Sequence, residues 1–326
     1  MHLLMARRAL GPAQLSLVQA VRPVLEQLGG RLVVGCSGGA DSLALTATLA
    51  HLAPQAATAI VVDHGLQAGS AERAASVAEE VRRMGIEARV TRVLVREQGQ
   101  GLEAAAREAR LAALLADGQP VWLAHTLDDQ AETVLLGLAR GSGCASLQGM
   151  APMRRHDGGP LVVRPLLGVR REQTRAACAE WGLEPWDDPM NADPRFRRVR
   201  VRCDLLPTLA DVLGPGVTEA LGRTADLARQ DNDLLERLAA DSARDLVRGD
   251  ELDAVGLLHL HPALRGRVLR AWLLDRGVPA PTMQHVQAVA ALVEQWRGQR
   301  GVDLPGGIRA RRSGGVLVAG PKAVGN

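Results

Sequence analysis

RLVVGCSGGADSLALTATLA (residues 31–50) joins three local patterns without a gap. RLVVGC is a short apolar run rich in β-branched residues and bounded by glycine, the signature of a buried strand. SGGADS follows as a polar, glycine-bearing turn. LALTATLA then continues as a helix. Gly38 and Gly39 permit positive φ and close approach of the backbone. Successive N–H groups there can form an anion nest at the start of the helix. Ser37 and Ser42 add hydroxyl donors around Ala40. Asp41 is an unexpected neighbour for a phosphate unless a cation lies between them, so we assign it to Mg²⁺. An ordinary strand–turn–helix connection with Asp41 as N-cap is the plainer alternative.

The same alternation spreads outward. TAIVVDHG (58–65), EARVTRVLV (87–95), VWLAH (121–125) and LVVRPLL (161–167) have strand character. Helical segments at 71–85, 102–118, 128–141 and 171–182 separate them, and an amphipathic lead-in helix covers 13–28. Strands alternating with helices predict a doubly wound α/β domain with a five-stranded parallel sheet. Ligands of such sheets bind beyond the carboxyl ends of the strands, so the loops after 36, 63 and 125 should line one site. Past about 215 the pattern turns mainly helical (218–247, 259–276, 282–298), and VDLPGGIRARRSGGVLVAG (302–320) has the character of a small hairpin. The expected organisation is a catalytic domain over 1–215 and a smaller domain over 216–326, divided at Gly214-Pro215-Gly216.

Composition narrows the chemistry. With 326 residues and a 47% hydrophobic fraction the chain can build a sizeable core, and with no Tyr and a single Phe (Phe196) that core is aliphatic. No apolar run reaches the ~18 residues of a membrane span, and MHLLMARRAL lacks a signal-peptide pattern. Cys36, Cys144, Cys178 and Cys203 are scattered without a C-x-x-C, as in a reduced cytoplasmic protein. The net charge is only +3 and the single lysine is Lys322, which excludes a P-loop NTPase, whose motif needs its own lysine on the phosphates.

A second constellation sits in AHTLDDQAETVLLGLARGSG (124–143). His125 ends a strand, and Asp129 and Glu132, three apart, share a face of the next helix. Beside a bound phosphate these two acids can hold Mg²⁺ or an incoming ammonium group, with Asp129 the second metal candidate beside Asp41. Asp128 is an N-cap candidate. Arg140, near the helix end, is a candidate for phosphate or RNA. Asp63 and His64 end the second strand and are candidates for the rest of the ligand whose phosphates the loop holds. Arg107 sits mid-helix among alanines. DDPMNADPRFRRVRVR (187–202) passes from acidic to basic, and Arg195, Arg197, Arg198, Arg200 and Arg202 form a cationic patch suited to an RNA backbone.

The string SGGADS resembles the pyrophosphate loop of the N-type ATP pyrophosphatases, which cleave the α–β bond of ATP. Taken in order, SGGADS, VDHGL, LEAAAREAR, AHTLDDQAETVLLGLARGSG, RPLL and DDPMNADPRFRRVRVRCDLLPTL resemble the tRNA(Ile)-lysidine synthases. HPALRGRVLRAWL and VDLPGG agree in the second domain. The resemblance implies ATP-dependent attachment of free L-lysine to C2 of the wobble cytidine of an isoleucine tRNA with a CAU anticodon, through an adenylylated cytidine. By the same resemblance Ser37, Gly38, Gly39, Asp41 and Ser42 hold ATP with Mg²⁺. His125, Asp129 and Glu132 then line the catalytic pocket, and Arg107 and the 197–200 arginines meet phosphate or tRNA. Two positions depart from the family pattern: Thr126 stands where a second His is usual, and Leu111 follows Arg110 where Tyr is usual. Longer members carry a further C-terminal domain, which implies a reduced tRNA surface here. A tRNA cytidine thiolase is the nearest alternative, disfavoured by the missing cysteine pair. A non-catalytic RNA-binding protein is another, disfavoured by the intact acids. The oligomeric state stays open, a homodimer included.

Overall fold

A computed structural model describes residues 9–65, 69–95, 102–141 and 143–322. The N-terminal MHLLMARR and Leu66 of VDHGL lie outside the described residues. The chain divides into two compact units, residues 1–141 with 146–226, and residues 227–326 with 142–145. Gly214 ends the helix Leu206–Leu213, as its glycine predicts, but the two units part between 226 and 227, within the next long helix.

The first unit runs α1 (Pro12–Leu28), β1 (Leu32–Gly35), α2 (Ala40–Leu52), β2 (Ala57–Asp63), α3 (Ser70–Arg83), β3 (Glu87–Arg92), α4 (Leu102–Leu115), β4 (Val121–Trp122), α5 (Leu127–Leu138), β5 (Met153–Arg155), β6 (Leu161–Val163) and α6 (Arg171–Trp181). Its sheet has the order β3-β2-β1-β4-β6-β5. Five strands are parallel, as the alternation predicts. The sixth, β5, pairs antiparallel with β6 at the edge. Its Met-Arg-Arg sequence is too short and too polar for a periodic signal.

Strand periodicity explains the two-sided burial. In β1, Leu32 and Val34 face a core built with α1, α2, α3 and α6, while Val33 faces Ile60, Leu114 and Val121 on the other side. Successive strand side chains point to opposite faces, and a sheet covered on both faces needs apolar residues at every position, hence the unbroken run LVV. Trp122, 1% exposed, is the largest fully buried side chain and supplies the bulk that an aliphatic core lacks. The strand order reverses beside β1, which pairs β2 on one side and β4 on the other. That switch point brings the loop after β1 next to the loop after β4.

The second unit has its own core, including Leu269, Trp272, Leu273, Val289 and Leu317. Beyond its part of α7 (Val217–Leu246) it contains α8 (Ala254–His259), α9 (Pro262–Asp275) and α10 (Met283–Glu294). The hairpin expected over 302–320 is present as β10 (Ile308–Ser313) and β11 (Val316–Pro321). It belongs to a larger antiparallel sheet with β7 (Val247–Arg248), β8 (Glu251–Asp253) and β9 (Val302–Leu304), in the order β7-β8-β11-β10-β9. The added strands have two or three residues each and leave no alternation in the sequence.

Candidate active site at the carboxyl edge of the parallel sheet

The glycine-rich loop is built as its residues require. Gly38 has φ +83°, and a Cβ there would lie 2.6 Å from Cγ2 of Val77 on α3. Gly39 is the N-cap of α2, and its carbonyl accepts from the Leu43 N–H at 3.0 Å and from the Ser42 hydroxyl at 2.9 Å. The Ser37 N–H donates to Ser42 Oγ at 3.1 Å, and the two hydroxyls lie 3.2 Å apart. Helical geometry leaves the first-turn amides of Gly39, Ala40, Asp41 and Ser42 without intrahelical acceptors. The Trp186 N–H donates to the Gly38 carbonyl at 2.9 Å and pins the loop from a distant part of the chain. The donor set and the glycine cradle fit a polyphosphate.

Substituting Gly38 with Ala tests that fit. The left-handed φ alone costs about 1–2 kcal/mol, which corresponds to a loss of about five- to thirtyfold in ATP affinity if the loop shape is what binds. Gly38→Ala with Val77→Ala should recover only the steric part. Equilibrium dialysis with ATP measures both, and wild-type affinity in Gly38→Ala would remove the loop from the binding site.

Asp41 is not an N-cap. Its Oδ1 accepts from the Thr174 hydroxyl on α6, and Arg171 Nε, also on α6, lies 3.4 Å from its Oδ2. Burial is the main influence on its carboxyl, and the charge of Asp129 adds to it; together they outweigh Thr174 and Arg171 and leave its pKa above the usual range. The sequence placed Asp41, Asp129 and Glu132 in one site, and the structure brings them together around Arg171. Arg171 Nη2 donates to Asp129 Oδ1 at 2.7 Å, and its Nη1 lies 3.4 Å from Glu132 Oε1.

The N-cap of α5 is Thr126, not Asp128. Thr126 donates its N–H and its hydroxyl to Asp129 Oδ2, at 2.8 and 2.9 Å. The residue that departs from the family pattern therefore orients the catalytic candidate next to it. Burial disfavours ionised Asp129, but Arg171, His125 and the Thr126 bonds outweigh it and hold the carboxyl below the usual range. Asp128 accepts instead from Arg170, at 3.2 Å on each oxygen, and from the Arg171 N–H at 2.8 Å.

Glu132 is fully buried. Arg202 Nε donates to its Oε1 at 2.7 Å and Arg202 Nη2 to its Oε2 at 3.2 Å, while Arg198 Nε lies 3.3 Å from Oε2. Arg198 also donates to the Thr133 hydroxyl at 2.6 Å. The five arginines expected as one RNA-facing patch are thus divided. Arg198 and Arg202 turn inward to the acids. Arg195, Arg197 and Arg200 are exposed, Arg195 bonding Asp193 at 2.7 Å and Arg200 meeting Asp204 at 3.4 Å. The cause is helical periodicity: residues four apart share a face, and the segments Arg197–Arg200 and Val201–Leu205 run on end to end, the second as a π-turn of the kind that recurs at functional sites.

His125 follows β4 beside this cluster. Burial drives its pKa down to about 4; Asp129 opposes this, while Arg164, Arg198 and Arg107 reinforce it. The imidazole is neutral at physiological pH, and its buried Nδ1 has no hydrogen-bond partner. Arg107, exposed on α4, is near enough to act on it electrostatically. The bonds of Asp63 serve a turn: it accepts from the Gly65 N–H at 2.9 Å, and the Ser70 hydrogen bond, then Gly65, hold its pKa low. His64 next to it is kept neutral by burial and by the Arg110 charge. Arg140 is exposed beyond the end of α5, about 12 Å along the helix direction from Glu132.

Arg171, Thr174 and Arg202 carry contacts that the sequence did not assign to the acids. For Arg202 a signal existed: buried acids demand counter-charges, and Arg198 and Arg202 have the four-residue spacing that presents two cations on one side.

Comparison with known proteins identifies the family. A family model described as a PP-loop domain matches residues 13–209, and one described as the TilS substrate binding domain matches residues 252–318. A tRNA(Ile)-lysidine synthase of Salinispora tropica is 49% identical over 95% of this chain and 97% of its own length. One of Nocardia farcinica is 52% identical over 86% of this chain and 87% of its own. Among solved structures, a U34-tRNA thiolase from Methanococcus maripaludis superposes with a TM-score of 0.55 at 17% identity, covering 67% of this chain and 80% of its own, a likeness of fold. With half of its residues shared over nearly its whole length and the acids gathered at the edge of a PP-loop sheet, this chain belongs to the tRNA(Ile)-lysidine synthase family.

Proposed function

We propose that this protein ligates free L-lysine to C2 of the wobble cytidine of an isoleucine tRNA with a CAU anticodon, using ATP. The carrying observation is the meeting of Asp41, from the phosphate loop, with Asp129 and Glu132 around one guanidinium. ATP supplies an activated phosphorus: the cytosine O2 attacks the α-phosphorus and pyrophosphate leaves. The lysine ε-amine then attacks C2, the C2–O2 bond breaks, AMP leaves with that oxygen, and the amine gives up its proton. Activation is necessary because a carbonyl oxygen is otherwise a poor leaving group.

The protein's part is positioning and charge stabilisation. The Ser37–Ser42 loop would hold the departing pyrophosphate by backbone amides and hydroxyls. Neutral His125, with a free Nδ1, is suited to hydrogen-bond an uncharged group such as the base. Asp129, kept ionised, is suited to receive the lysine ammonium. Asp41 and Asp129 would hold Mg²⁺, which is commonly held by one or two carboxylates plus substrate oxygens and would neutralise charge on the phosphates. Among the described residues no group of three or more His, Cys, Asp or Glu side chains is arranged to hold a metal unaided, so ATP would bring part of the coordination.

Incubation with the tRNA, ATP and labelled lysine, followed by nucleoside mass spectrometry, tests the reading. Lysine on the wobble cytidine is expected; a sulfur-dependent product would replace the reading with a thiolase. Arg195, Arg197 and Arg200, the outward arginines, are the candidate phosphate contacts. Removing any one should weaken tRNA binding and lower the slope of log K against log salt by about 1. An unchanged slope would exclude that residue from the interface. Among the described residues no helix is long and apolar enough to cross a membrane.

A further inference from the structure

Arg171 opens α6, on a helix that carries none of the acids it holds. Its three terminal contacts reach Asp41 at 3.4 Å, Asp129 at 2.7 Å and Glu132 at 3.4 Å. One planar group therefore spans carboxylates from two other helices, α2 on the ATP side and α5 on the acceptor side. Its own position is set from behind. The Arg171 N–H donates to Asp128 Oδ2 at 2.8 Å, and the same Asp128 is gripped by Arg170, whose Nη1 also donates to Glu219 Oε1 at 2.6 Å. Thr174, three residues on and so on the same face of α6, donates its hydroxyl to Asp41 Oδ1. Charge alone does not demand this arrangement. Glu132 already has Arg198 and Arg202, at 3.3 and 2.7 Å. A point charge would satisfy Asp41 and Asp129 at any orientation, whereas a guanidinium presents five donors in a fixed fork.

We propose that Arg171 is a positioning residue that fixes the separation of Asp41 from Asp129, and so aligns the adenylylation and lysine-attack halves of the site on one cytidine carbon. This rests on the lysidine reading above. The two steps act on adjacent atoms, O2 and C2 of the same ring, while their protein groups come from different helices. A connector between those helices is what keeps both steps in register. A misplacement of about 1 Å costs on the order of 10²-fold in rate.

The experiment compares Arg171→Lys, Arg171→Gln and Thr174→Val with the wild-type protein. It measures the thermal midpoint, ATP binding by equilibrium dialysis, and kcat and KM for both pyrophosphate release and lysine incorporation. Arg171→Lys keeps the charge and loses the fork. It should hold a near wild-type midpoint and an ATP affinity within about threefold, while kcat for lysine incorporation falls about 100-fold. Thr174→Val should show a milder loss, again in kcat rather than in KM for ATP. Full recovery of kcat in Arg171→Lys would make Arg171 a simple counter-ion and overturn the proposal. Parallel losses of midpoint, ATP affinity and kcat in Arg171→Lys would make it structural and overturn it equally. A wild-type protein that releases pyrophosphate on tRNA without taking up lysine would sink the lysine reading alone, and kcat for pyrophosphate release would still decide the role of Arg171.

Discussion

Glu132→Gln is expected to lower the stability of the first unit by about 3–5 kcal/mol, because it removes the buried charge that three half-buried guanidiniums share. Glu132 is fully buried, and its two oxygens meet Arg202 at 2.7 Å, Arg198 at 3.3 Å and Arg171 at 3.4 Å. Folded domains are stable by only about 5–15 kcal/mol in total. For a unit of this size each kcal/mol moves the midpoint by about 2–4 °C, so a fall of roughly 6–20 °C should appear in thermal unfolding followed by circular dichroism. From its spacing Glu132 is an acid that can hold Mg²⁺ or an incoming ammonium group, and its contacts add an anchoring role. A buried carboxylate held by three guanidiniums is a good anchor, and its loss should also release Arg198 and Arg202 from their inward positions. Activity lost at an unchanged midpoint would return Glu132 to the role of general base.

How much was legible follows from where each signal lives. The parallel sheet was legible because a buried strand flanked by helices is written in contiguous residues: LVV at β1 needs no partner to be recognised. The strand β5 and the small strands of the second unit were not, since two or three residues carry no period. The loop Ser37–Ser42 and the acids of α5 were legible from spacing and from the rule that ligands gather at a switch point. Their partners were not. Arg171 is 39 residues from Glu132, and Arg202 is 70 from it; only the closed fold makes them neighbours. The same limit explains the arginine segment. Composition counted five cations, and four-residue spacing pairs Arg198 with Arg202, but that this pair is the one meeting Glu132 is set by the closed fold. Thr126 shows the converse. As a departure from the family pattern it removes no residue with an evident chemical role, and its bonds to Asp129 give the position a part in orienting that acid.

Asp41→Asn should give the opposite pattern to Glu132→Gln: chemistry lost, stability kept. Asp41 is held above the usual carboxylate range, first by burial and also by the charge of Asp129. A carboxyl whose folded pKa is raised costs stability when ionised, because the unfolded chain bears the charge more easily. The sign is therefore fixed: between the unfolded pKa and neutral pH, and above, ionised Asp41 works against folding, and this cost vanishes once the group is protonated or replaced by an amide. Arg171 is not stranded by the change, since Asp129 at 2.7 Å and Glu132 at 3.4 Å remain, and the Thr174 hydroxyl can still donate to the amide oxygen. The midpoint should stay level or rise. ATP-dependent modification should fall by about 10²–10³-fold, the usual loss when one preorganised electrostatic group leaves an active site. A residue that costs stability in the free protein and lies beside a phosphate loop is suited to the proposed Mg²⁺, which would offset the repulsion between Asp41 and Asp129. Kinetics of pyrophosphate release across a Mg²⁺ titration, alongside thermal unfolding of the same preparation, separate the outcomes. Near-normal turnover in Asp41→Asn would remove Asp41 from the metal site, and a midpoint drop comparable to that of Glu132→Gln would make it a structural acid.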